Sequence, residues 1–417
     1  MSDQYQGSDR SNAQAPAIKP ARLTTANRTA ILGAMFLMAT SSIGPGFITQ
    51  TSTFTVKLGA AFAFAIVVSI IVDIAIQLNV WRVIGVSGLR ANELGNAVLP
   101  GAGWFLAAAV FLGGVVFNIG NVAGTGQGLF NLLGLSPKIG GPLSALLAIG
   151  IFLSHRAGVA LDRLVVFLGS IMILLMIYVM VVSHPPYGEA ARNAVAPESV
   201  DFLVITTLIG GTVGGYITFA GAHRLLDSKI TGPANVGHVT RVSVMSIIVT
   251  GIMRVLLFLA VLGVAAAVSK DSPTIAADAF QAAAGDLGRK LFGIIYWAAG
   301  LTSVIGASYT SISFVTTSKT PARTRNIMTV AFIVLASVLF VVLDKAPQKL
   351  LIFAGAFNGL ILPIAFTIVL WVAWRRRDLL GGYKYPTWLA IVGLIAWLLT
   401  IYLGYRSLSG LAALWAS

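Results

Sequence analysis

The chain has 417 residues, of which 57% are hydrophobic and 10% charged, with no cysteine and a formal net charge of +14. This composition excludes a water-soluble protein of this length and is typical of a polytopic membrane protein in a lipid bilayer. The lack of cysteine excludes disulfides and thiolate metal sites. The basic residues are scattered through short loops, which indicates membrane topology and predicts no nucleic-acid partner.

The N-terminal segment, residues 1–27, begins with the polar stretch "MSDQYQGSDRSNAQAPAIKP". Its low hydrophobicity predicts a disordered cytoplasmic tail. It does not resemble a signal peptide, because no short apolar stretch with a small-residue cleavage site opens the chain.

Apolar stretches long enough to cross a bilayer recur along the chain, where about 20 residues make one span. We predict about eleven transmembrane helices. They cover residues 29–56, 61–83, 103–134, 140–155, 163–183, 201–222, 240–268, 290–316, 326–343, 349–374 and 386–405. Lys and Arg are about twice as frequent in alternate loops, which predicts a multi-pass protein of the inner (plasma) membrane with a cytoplasmic N-terminus.

Helix-breaking residues interrupt the first and sixth predicted spans, at "SSIGPGFITQTSTFT" and "TTLIGGTVGGYITFAG". Unwound backbone survives at membrane depth only where it lines a protein-enclosed cavity. Broken helices five spans apart indicate an inverted repeat with a substrate site between its halves. We therefore expect a first repeat over 28–183, a second over 201–375 and an added helix over 386–405.

Glycines, hydroxyls and amides surround the two breaks, without a carboxylate, histidine or methionine at the break itself. Half-helix N-termini suit an anion, and half-helix C-termini suit a cation. The predicted substrate-binding residues at the breaks are Gly44, Gly46, Phe47, Thr49, Gln50, Gly214, Gly215, Tyr216 and Thr218, joined by Asn121 of span three. Polar residues of spans eight and ten, such as Ser303, Ser308 and Asn358, are expected to serve as contacts between helices.

Two charged residues lie inside predicted spans. Asp73, in "VVSIIVDIAIQLNVW", is costly at membrane depth and is the predicted coupling residue, with a structural hydrogen-bonding role as the alternative. Arg254, in "VTGIMRVLLFL", is the predicted partner of a substrate carboxylate. Neutralising Asp73, or reaching the membrane surface with its long side chain, are the alternatives for Arg254.

The two breaks, together with "GTVGGYITFAGAH" in span six, "GASYTSISF" in span eight and "GLILPIAF" in span ten, resemble the Nramp family of divalent-metal transporters. The resemblance covers roughly residues 28–400. It implies an all-α membrane protein with the LeuT-type fold of the APC superfamily, a 5+5 inverted repeat in which helices 1 and 6 are broken.

The metal-ligand motifs of that family are not retained. Its first broken helix carries Asp-Pro-Gly-Asn, where this chain has Gly44-Pro45-Gly46-Phe47. Its sixth span carries Met-Pro-His, where this chain has Gly214, Gly215 and Tyr216. Span three also lacks the acidic residues with which family members move protons. Without anionic or sulfur donors we predict no metal site.

The sequence is also similar to a divergent bacterial branch of Nramp-related proteins that is associated with 5-oxoproline metabolism. We therefore predict a secondary transporter, not an enzyme, of a small organic anion or amino-acid-like solute, 5-oxoproline being the specific candidate. It would need no cofactor, and H⁺ or Na⁺ would be its coupling ion. One alternative is a divalent metal ion permease for Mg²⁺ or Mn²⁺; a second is a non-transporting sensor on a transporter fold.

Overall fold

The structure, a computed structural model, describes residues 25–154, 157–343 and 347–416, and those residues form α-helices without a β-strand. The predicted disordered tail falls almost entirely on residues 1–24, outside the described part. In chain order the helices are α1 (Thr25–Ser42), α2 (Pro45–Leu58), α3 (Phe62–Ser87), α4 (Ala91–Val98), α5 (Ala102–Leu133), α6 (Pro137–Leu153), α7 (Ala157–Val182), α8 (Tyr187–Val195), α9 (Phe202–Thr212), α10 (Ile217–Asp227), α11 (Val236–Leu262), α12 (Ile275–Val315), α13 (Ala322–Leu343), α14 (Pro347–Arg375) and α15 (Thr387–Ala416).

Most of these helices are apolar enough to cross a bilayer. In the described residues, nine helical stretches meet the length and hydropathy of a span, and α6 is apolar but shorter. Every predicted span overlaps one helix or one helix pair. The predicted first and sixth spans are the pairs α1–α2 and α9–α10, each interrupted in its middle. The prediction of an all-α membrane protein with broken helices 1 and 6 is confirmed.

Equivalent helices of the two repeats pack against one another. In a five-helix repeat α3 corresponds to α11 and α5 to α12, and both of these pairs are in extensive contact, as are α1 and α10. The α5–α12 contact is close because glycines line it: a β-carbon on Gly128 would lie 2.5 Å from the backbone nitrogen of Trp297. Small residues of this kind let membrane helices approach each other without a hydrophobic driving force.

Helix α12 is longer than predicted. It begins at Ile275, whereas the predicted span begins at residue 290, and it bends at Ala284 and Gly285, where Gly285 has φ +58°. The additional N-terminal segment carries Asp278 and Asp286, so a search for apolar length alone does not find it. Its first residues, Ile275 to Ala277, line a cavity together with residues of α2 and α5.

Candidate functional site

The first break separates α1 from α2 by two residues, Ile43 and Gly44. Gly44 is extended, with φ −94° and ψ −177°, and Pro45 then begins α2. Proline suits the first position of a helix, where a backbone N–H would have no partner. A β-carbon on Gly44 would lie 2.5 Å from the hydroxyl oxygen of Ser303 in α12, so the break leaves no room for a side chain.

The second break runs from Val213 to Tyr216, between α9 and α10. Gly215 has φ +53°, a left-handed conformation that glycine adopts without strain. A β-carbon there would also lie 2.4 Å from Oδ1 of Asn358 in α14. Gly215 is therefore required both for the backbone turn and for the close approach of Asn358.

Three buried amide side chains, from three different helices, lie against the breaks. Gln50 of α2 packs on Gly211, whose β-carbon would lie 2.6 Å from Gln50 Oε1. Asn121 of α5 packs on Gly44, with a corresponding distance of 3.2 Å to Oδ1, and Asn358 packs on Gly215. The oxygens of all three amides lack a hydrogen-bond partner, although Gln50 Nε2 donates to the carbonyl of Leu351 at 3.3 Å.

Hydroxyl groups beside these amides are also unpartnered. Tyr216 is fully buried, lies near the Asn121 amide and packs edge-on against Phe117 at 5.8 Å, yet its hydroxyl makes no hydrogen bond. The hydroxyl of Thr218 has no partner either. A buried polar group without a partner lowers the stability of the folded protein by about 1–3 kcal/mol. Several such groups close to the breaks therefore indicate a binding site for a polar ligand or ion.

A partly open cavity is lined by Thr49 and Thr53 of α2, Gln127 of α5 and the start of α12. At its inner end the hydroxyls of Thr49 and Tyr296 are hydrogen-bonded at 3.0 Å. Thr49 directly precedes Gln50 in α2. Gln50, one of the three amides, therefore follows a residue that lines the cavity.

The opposite end is closed by an ion network centred on Asp227, the last residue of α10. Its carboxylate lies 2.6 Å from Arg90 and 2.7 Å from Arg325, and it accepts a hydrogen bond from the hydroxyl of Tyr309. These contacts join the segment before α4 to α10, α12 and α13. Nearby, Arg224 of α10 forms an ion pair with Asp162 of α7 at 2.6 Å.

The buried side chain of His223 adds hydrogen bonds from α10 to α4 and α12 at the same end of the protein. Its Nε2 accepts a hydrogen bond from the backbone N–H of Ala91 at 3.3 Å, and its Nδ1 lies 2.5 Å from the hydroxyl of Ser313. Because that hydroxyl donates to the carbonyl of Thr310, Nδ1 must be the donor toward Ser313. The ring is thereby held as the neutral tautomer protonated on Nδ1.

The charged residues predicted for the site lie beside the breaks and not among the amides. Arg254 is buried in α11, with its guanidinium carbon 4.2 Å from the ring centroid of Phe47. Asp73 of α3 lines the same cleft as Arg254, together with Thr212 at the end of α9. Since Arg254 is only 2% exposed, its side chain does not reach the membrane surface.

The remaining predicted residues differ in how tightly they are held. A β-carbon on Gly46 would meet Phe117 at an ordinary 3.4 Å, so this glycine is not required by close packing. A β-carbon on Gly214 would lie 2.4 Å from the carbonyl oxygen of Gly210. Phe47 and Tyr216 are both buried. Phe47 packs against Arg254, and Tyr216 packs against Phe117.

Within the described residues there is no group of three or more His, Asp or Glu side chains arranged to hold a metal ion. The donors that the structure gathers at the breaks are neutral oxygens from Gln50, Asn121, Tyr216 and Asn358. Such oxygens suit hard cations, which bind amide and carbonyl oxygens together with water. Soft metals prefer sulfur or imidazole donors.

Several residues of this arrangement were not identified from the sequence. Asn358 was assigned to helix contacts, and Tyr296 and Asp227 were not singled out at all. A buried asparagine beside "GLILPIAF" was a usable signal for Asn358. No local signal marks Asp227, because Arg90 lies 137 residues from it in the chain.

Comparison with known proteins gives a consistent result. The model of the Nramp family, described as natural resistance-associated macrophage protein-like, matches residues 35–409. A relative from Haemophilus influenzae, an uncharacterized membrane protein, is 50% identical over 385 residues, which cover 92% of this chain and 96% of that protein.

Solved transporter structures share the fold. The Eremococcus coleocola manganese transporter, crystallised with an aromatic bis-isothiourea substituted compound, has a TM-score of 0.77 at 18% identity; the match covers 94% of this chain and 89% of that one. MhsT in complex with L-phenylalanine has a TM-score of 0.58 at 17% identity and covers 89% and 98%. These likenesses support the LeuT-type fold predicted from the sequence.

The comparisons contradict the prediction of a small organic anion or amino-acid-like substrate such as 5-oxoproline, and the predicted alternative, a divalent metal ion permease, agrees with them better. The error has a physical cause. The absence of acidic, imidazole and sulfur side chains at the breaks was taken as evidence against a bound metal ion. Buried amide and hydroxyl oxygens are nevertheless cation ligands as well, and three amides with unpartnered oxygens pack against the breaks.

Proposed function

The chain belongs to the Nramp family, and on that basis we propose that it is a secondary transporter that carries a divalent cation, Mg²⁺ or Mn²⁺, across the membrane. Members of the family are multi-pass membrane transporters and not enzymes. The similarity of the fold to a manganese transporter supports a divalent cation as the substrate.

The observation that carries the proposal is the set of buried amide oxygens without partners at the two breaks: Gln50 Oε1, Asn121 Oδ1 and Asn358 Oδ1. They come from α2, α5 and α14, and each packs against a glycine at or near one of the two breaks. An ion between them would supply the missing partner for each oxygen. Free backbone carbonyls at a helix break add ligands of the same kind.

The three proposed ligands are neutral amides. Neutral oxygens alone do not offset the free energy that a divalent cation loses when it gives up its whole hydration shell. Mg²⁺ in particular gives up its water reluctantly and is commonly bound through a few protein oxygens and several waters. The substrate would therefore be a partly hydrated ion. The hydroxyls of Tyr216 and Thr218 would then contact its water shell.

The two ends of the protein suit alternating access. One end has the cavity that stops at Thr49 and Tyr296, and the other is closed by the Asp227 ion network. The frequency of basic residues in the loops supports placing the Asp227 end in the cytoplasm of the cell. In this conformation the ion would enter from outside, and release would require the Asp227 network to open.

The test is metal uptake by the purified protein in proteoliposomes that contain a metal-quenched fluorophore. We expect saturable entry of Mn²⁺ that Mg²⁺ inhibits. Asn121→Ala, Asn358→Ala and Gln50→Ala should each reduce the uptake rate at low metal concentration by about tenfold, because each removes one ligand. Entry no faster than into empty liposomes would refute the proposal.

Asn131→Ala is the matched control. Asn131 lies in α5, the helix of Asn121, but its amide is already engaged: Nδ2 donates to the carbonyl of Gln127 at 2.8 Å, and Oδ1 accepts from Arg289 at 3.2 Å. Its loss should leave the concentration dependence of uptake unchanged. Equal losses in Asn131→Ala and Asn121→Ala would indicate a general effect on α5 and count against a metal site.

A further inference from the structure

Two neighbouring helices expose apolar faces that end in tryptophan beside the loop that joins them. The exposed large side chains of α14 include Ile364, Trp371 and Trp374, and those of α15 include Trp388 and Ile391. Their spacing of three or seven residues places each set on one face of its helix. The two helices are in extensive contact. Tryptophan is enriched where the hydrocarbon of a bilayer meets the headgroups, so the three tryptophans indicate that this loop lies at headgroup level.

Three basic side chains follow directly beyond the tryptophans. Arg375 is the last residue of α14, and Arg377 and Lys384 belong to the loop, residues 376–386; all three are exposed. None of them forms an ion pair with another described residue. The acid of this loop, Asp378, is already paired with Arg376 at 2.8 Å. The three basic residues, which we call the basic patch, therefore carry positive charge without a counter-ion in the described part of the chain.

The basic patch is carried by a folded loop. The backbone N–H of Gly382 donates to the carbonyl of Arg377 at 3.0 Å, and Gly382 has φ +77°, a conformation that glycine adopts without strain. The hydroxyl of Tyr385 donates to Asn79 of α3 at 2.6 Å, which ties the end of the loop to the helix bundle. A ligand of this loop therefore has less chain to order, which lowers the entropy cost of binding.

Helix α4 links the loop to the closed end of the protein. Nη1 of Arg376 donates to the carbonyl of Ala97 in the last turn of α4. This helix has eight residues, about 12 Å, and begins directly after Arg90, which pairs with Asp227. The loop thus lies at the end that the Asp227 network closes, for which the frequency of basic residues supports a cytoplasmic position. The cytoplasmic leaflet of a membrane carries anionic lipids and a negative surface potential.

We propose that the basic patch binds the headgroup of an anionic phospholipid, whose acyl chains lie against the exposed faces of α14 and α15. The guanidinium groups of Arg375 and Arg377 bind the phosphate, because a guanidinium matches phosphate geometry through paired hydrogen bonds. The ammonium group of Lys384 adds a third positive charge. This site lies at the boundary between protein and lipid and is separate from the proposed cation site at the helix breaks.

The position of the patch favours a lipid over a free phosphate ion. The bilayer itself holds a phospholipid at the level of the tryptophans, so its phosphate is presented to the patch at a high local concentration. A zwitterionic headgroup also carries an ammonium group that repels basic side chains, so the patch prefers a headgroup with a net negative charge. Each basic residue near an anionic membrane surface raises the affinity about fivefold.

The test measures lipid binding at the loop itself. The chain has no cysteine, so Thr387→Cys, at the exposed start of α15, accepts a single fluorophore in the full-length protein. The protein is placed in nanodiscs of phosphatidylcholine that contain increasing fractions of brominated-chain phosphatidylglycerol or brominated-chain phosphatidylcholine, because bromine quenches fluorescence at short range. Half-maximal quenching should occur at a fraction of phosphatidylglycerol at least about tenfold lower than that of phosphatidylcholine.

Neutralising the basic patch should remove this preference. With Arg375→Gln, Arg377→Gln and Lys384→Gln combined, the two brominated lipids should quench at the same fraction. These side chains are exposed, so their loss does not disturb the packing of α14 and α15. Equal quenching by both lipids in the protein with an intact patch overturns the inference, and so does a preference that survives in the patch variant.

Two controls separate a lipid site from other effects of charge. Arg241→Gln, Lys319→Gln and Arg323→Gln combined remove three exposed basic residues outside the loop and should keep the preference; a loss as large as in the patch variant would attribute it to net charge and overturn the inference. Inorganic phosphate should relieve quenching by phosphatidylglycerol no more than chloride does at equal ionic strength. Relief by phosphate alone would assign the patch to a soluble anion and overturn a lipid site.

Discussion

The hydroxyl groups of Thr49 and Tyr296 lie 3.0 Å apart and join α2 to α12 at the inner end of the cavity. Thr49 is one residue from Gln50, whose amide oxygen faces the second break. This hydrogen bond is therefore positioned as the outer gate of the proposed site. A single hydrogen bond of this kind contributes about 1 kcal/mol, which a transport cycle can readily break and reform.

Removing one hydroxyl should open this gate. In Tyr296→Phe we expect a thiol reagent to reach a cysteine introduced at Asn121 about fivefold faster, which corresponds to the loss of about 1 kcal/mol. The native chain has no cysteine, so the label reports this position alone. Tyr385→Phe is the control, because its hydroxyl is bonded to Asn79 at 2.6 Å, away from the cavity. Equal labelling rates in both variants would mean that the pair is not a gate.

The second break depends on a glycine that tolerates no β-carbon. Gly215→Ala should lower metal uptake at least about tenfold, since it combines a strained left-handed residue with displacement of Asn358. Gly134→Ala is matched for backbone strain, with φ +74°, but nothing lies within 4 Å of the added β-carbon. Uptake should survive in that variant. If both alanines reduce uptake equally, strain and not the position of Asn358 explains the loss.

The helices and both breaks could be predicted from the sequence because their causes are local. Apolar length sets a span, and "GPG" or "GG" sets an interruption, so the ends of α3 and α5 agree with prediction to within a few residues. Gly44 and Gly215 were identified for the same reason. These properties depend on the residues themselves and on their immediate neighbours in the chain.

The composition of the site could not be predicted in the same way. Gln50, Asn121 and Asn358 are ordinary amides in the sequence, and only the tertiary structure shows that their oxygens lack partners. The same holds for the closure at Asp227, whose partners come from distant helices. The sequence shows that the metal-binding motifs are missing. It does not show which neutral oxygens would replace them, because that depends on contacts between distant helices.

The ion network at Asp227 should control opening at its end of the protein. Asp227→Asn leaves the guanidinium of Arg90, whose side chain is 2% exposed, without its counter-ion. Loss of a buried ion-pair partner costs about 3–5 kcal/mol, so the closed conformation should become less populated. A cysteine at Thr310 should then react at least about tenfold faster with a reagent applied from that end.

Asp378→Asn is the control for this change. Asp378 pairs with Arg376 at 2.8 Å on the protein surface, and the hydrogen bond from Arg376 lowers the pKa of Asp378. Asp378 is therefore ionised at neutral pH, and the control removes one negative charge without opening a contact between α10 and α13. An increase in labelling of the same size in Asp378→Asn would attribute the effect to net charge and refute the gate.

Adding a charge to the proposed metal site gives the sharpest test of what it binds. Asn358→Asp keeps the size of the side chain but replaces an unpartnered amide oxygen with an anionic one. Divalent cations prefer carboxylate ligands, so the KM for Mn²⁺ should fall about tenfold. Because tighter binding also slows release, the maximal rate should fall as well. Initial rates of uptake over a range of Mn²⁺ concentrations give both quantities.

Asn131→Asp separates this effect from a change in the overall electric field of the protein. Asn131 already accepts a hydrogen bond from Arg289, so an aspartate there would form an ion pair outside the breaks. Its KM should equal that of the wild type. If Asn358→Asp raises the KM for Mn²⁺, or if both aspartates lower it equally, the oxygen of Asn358 is not a ligand.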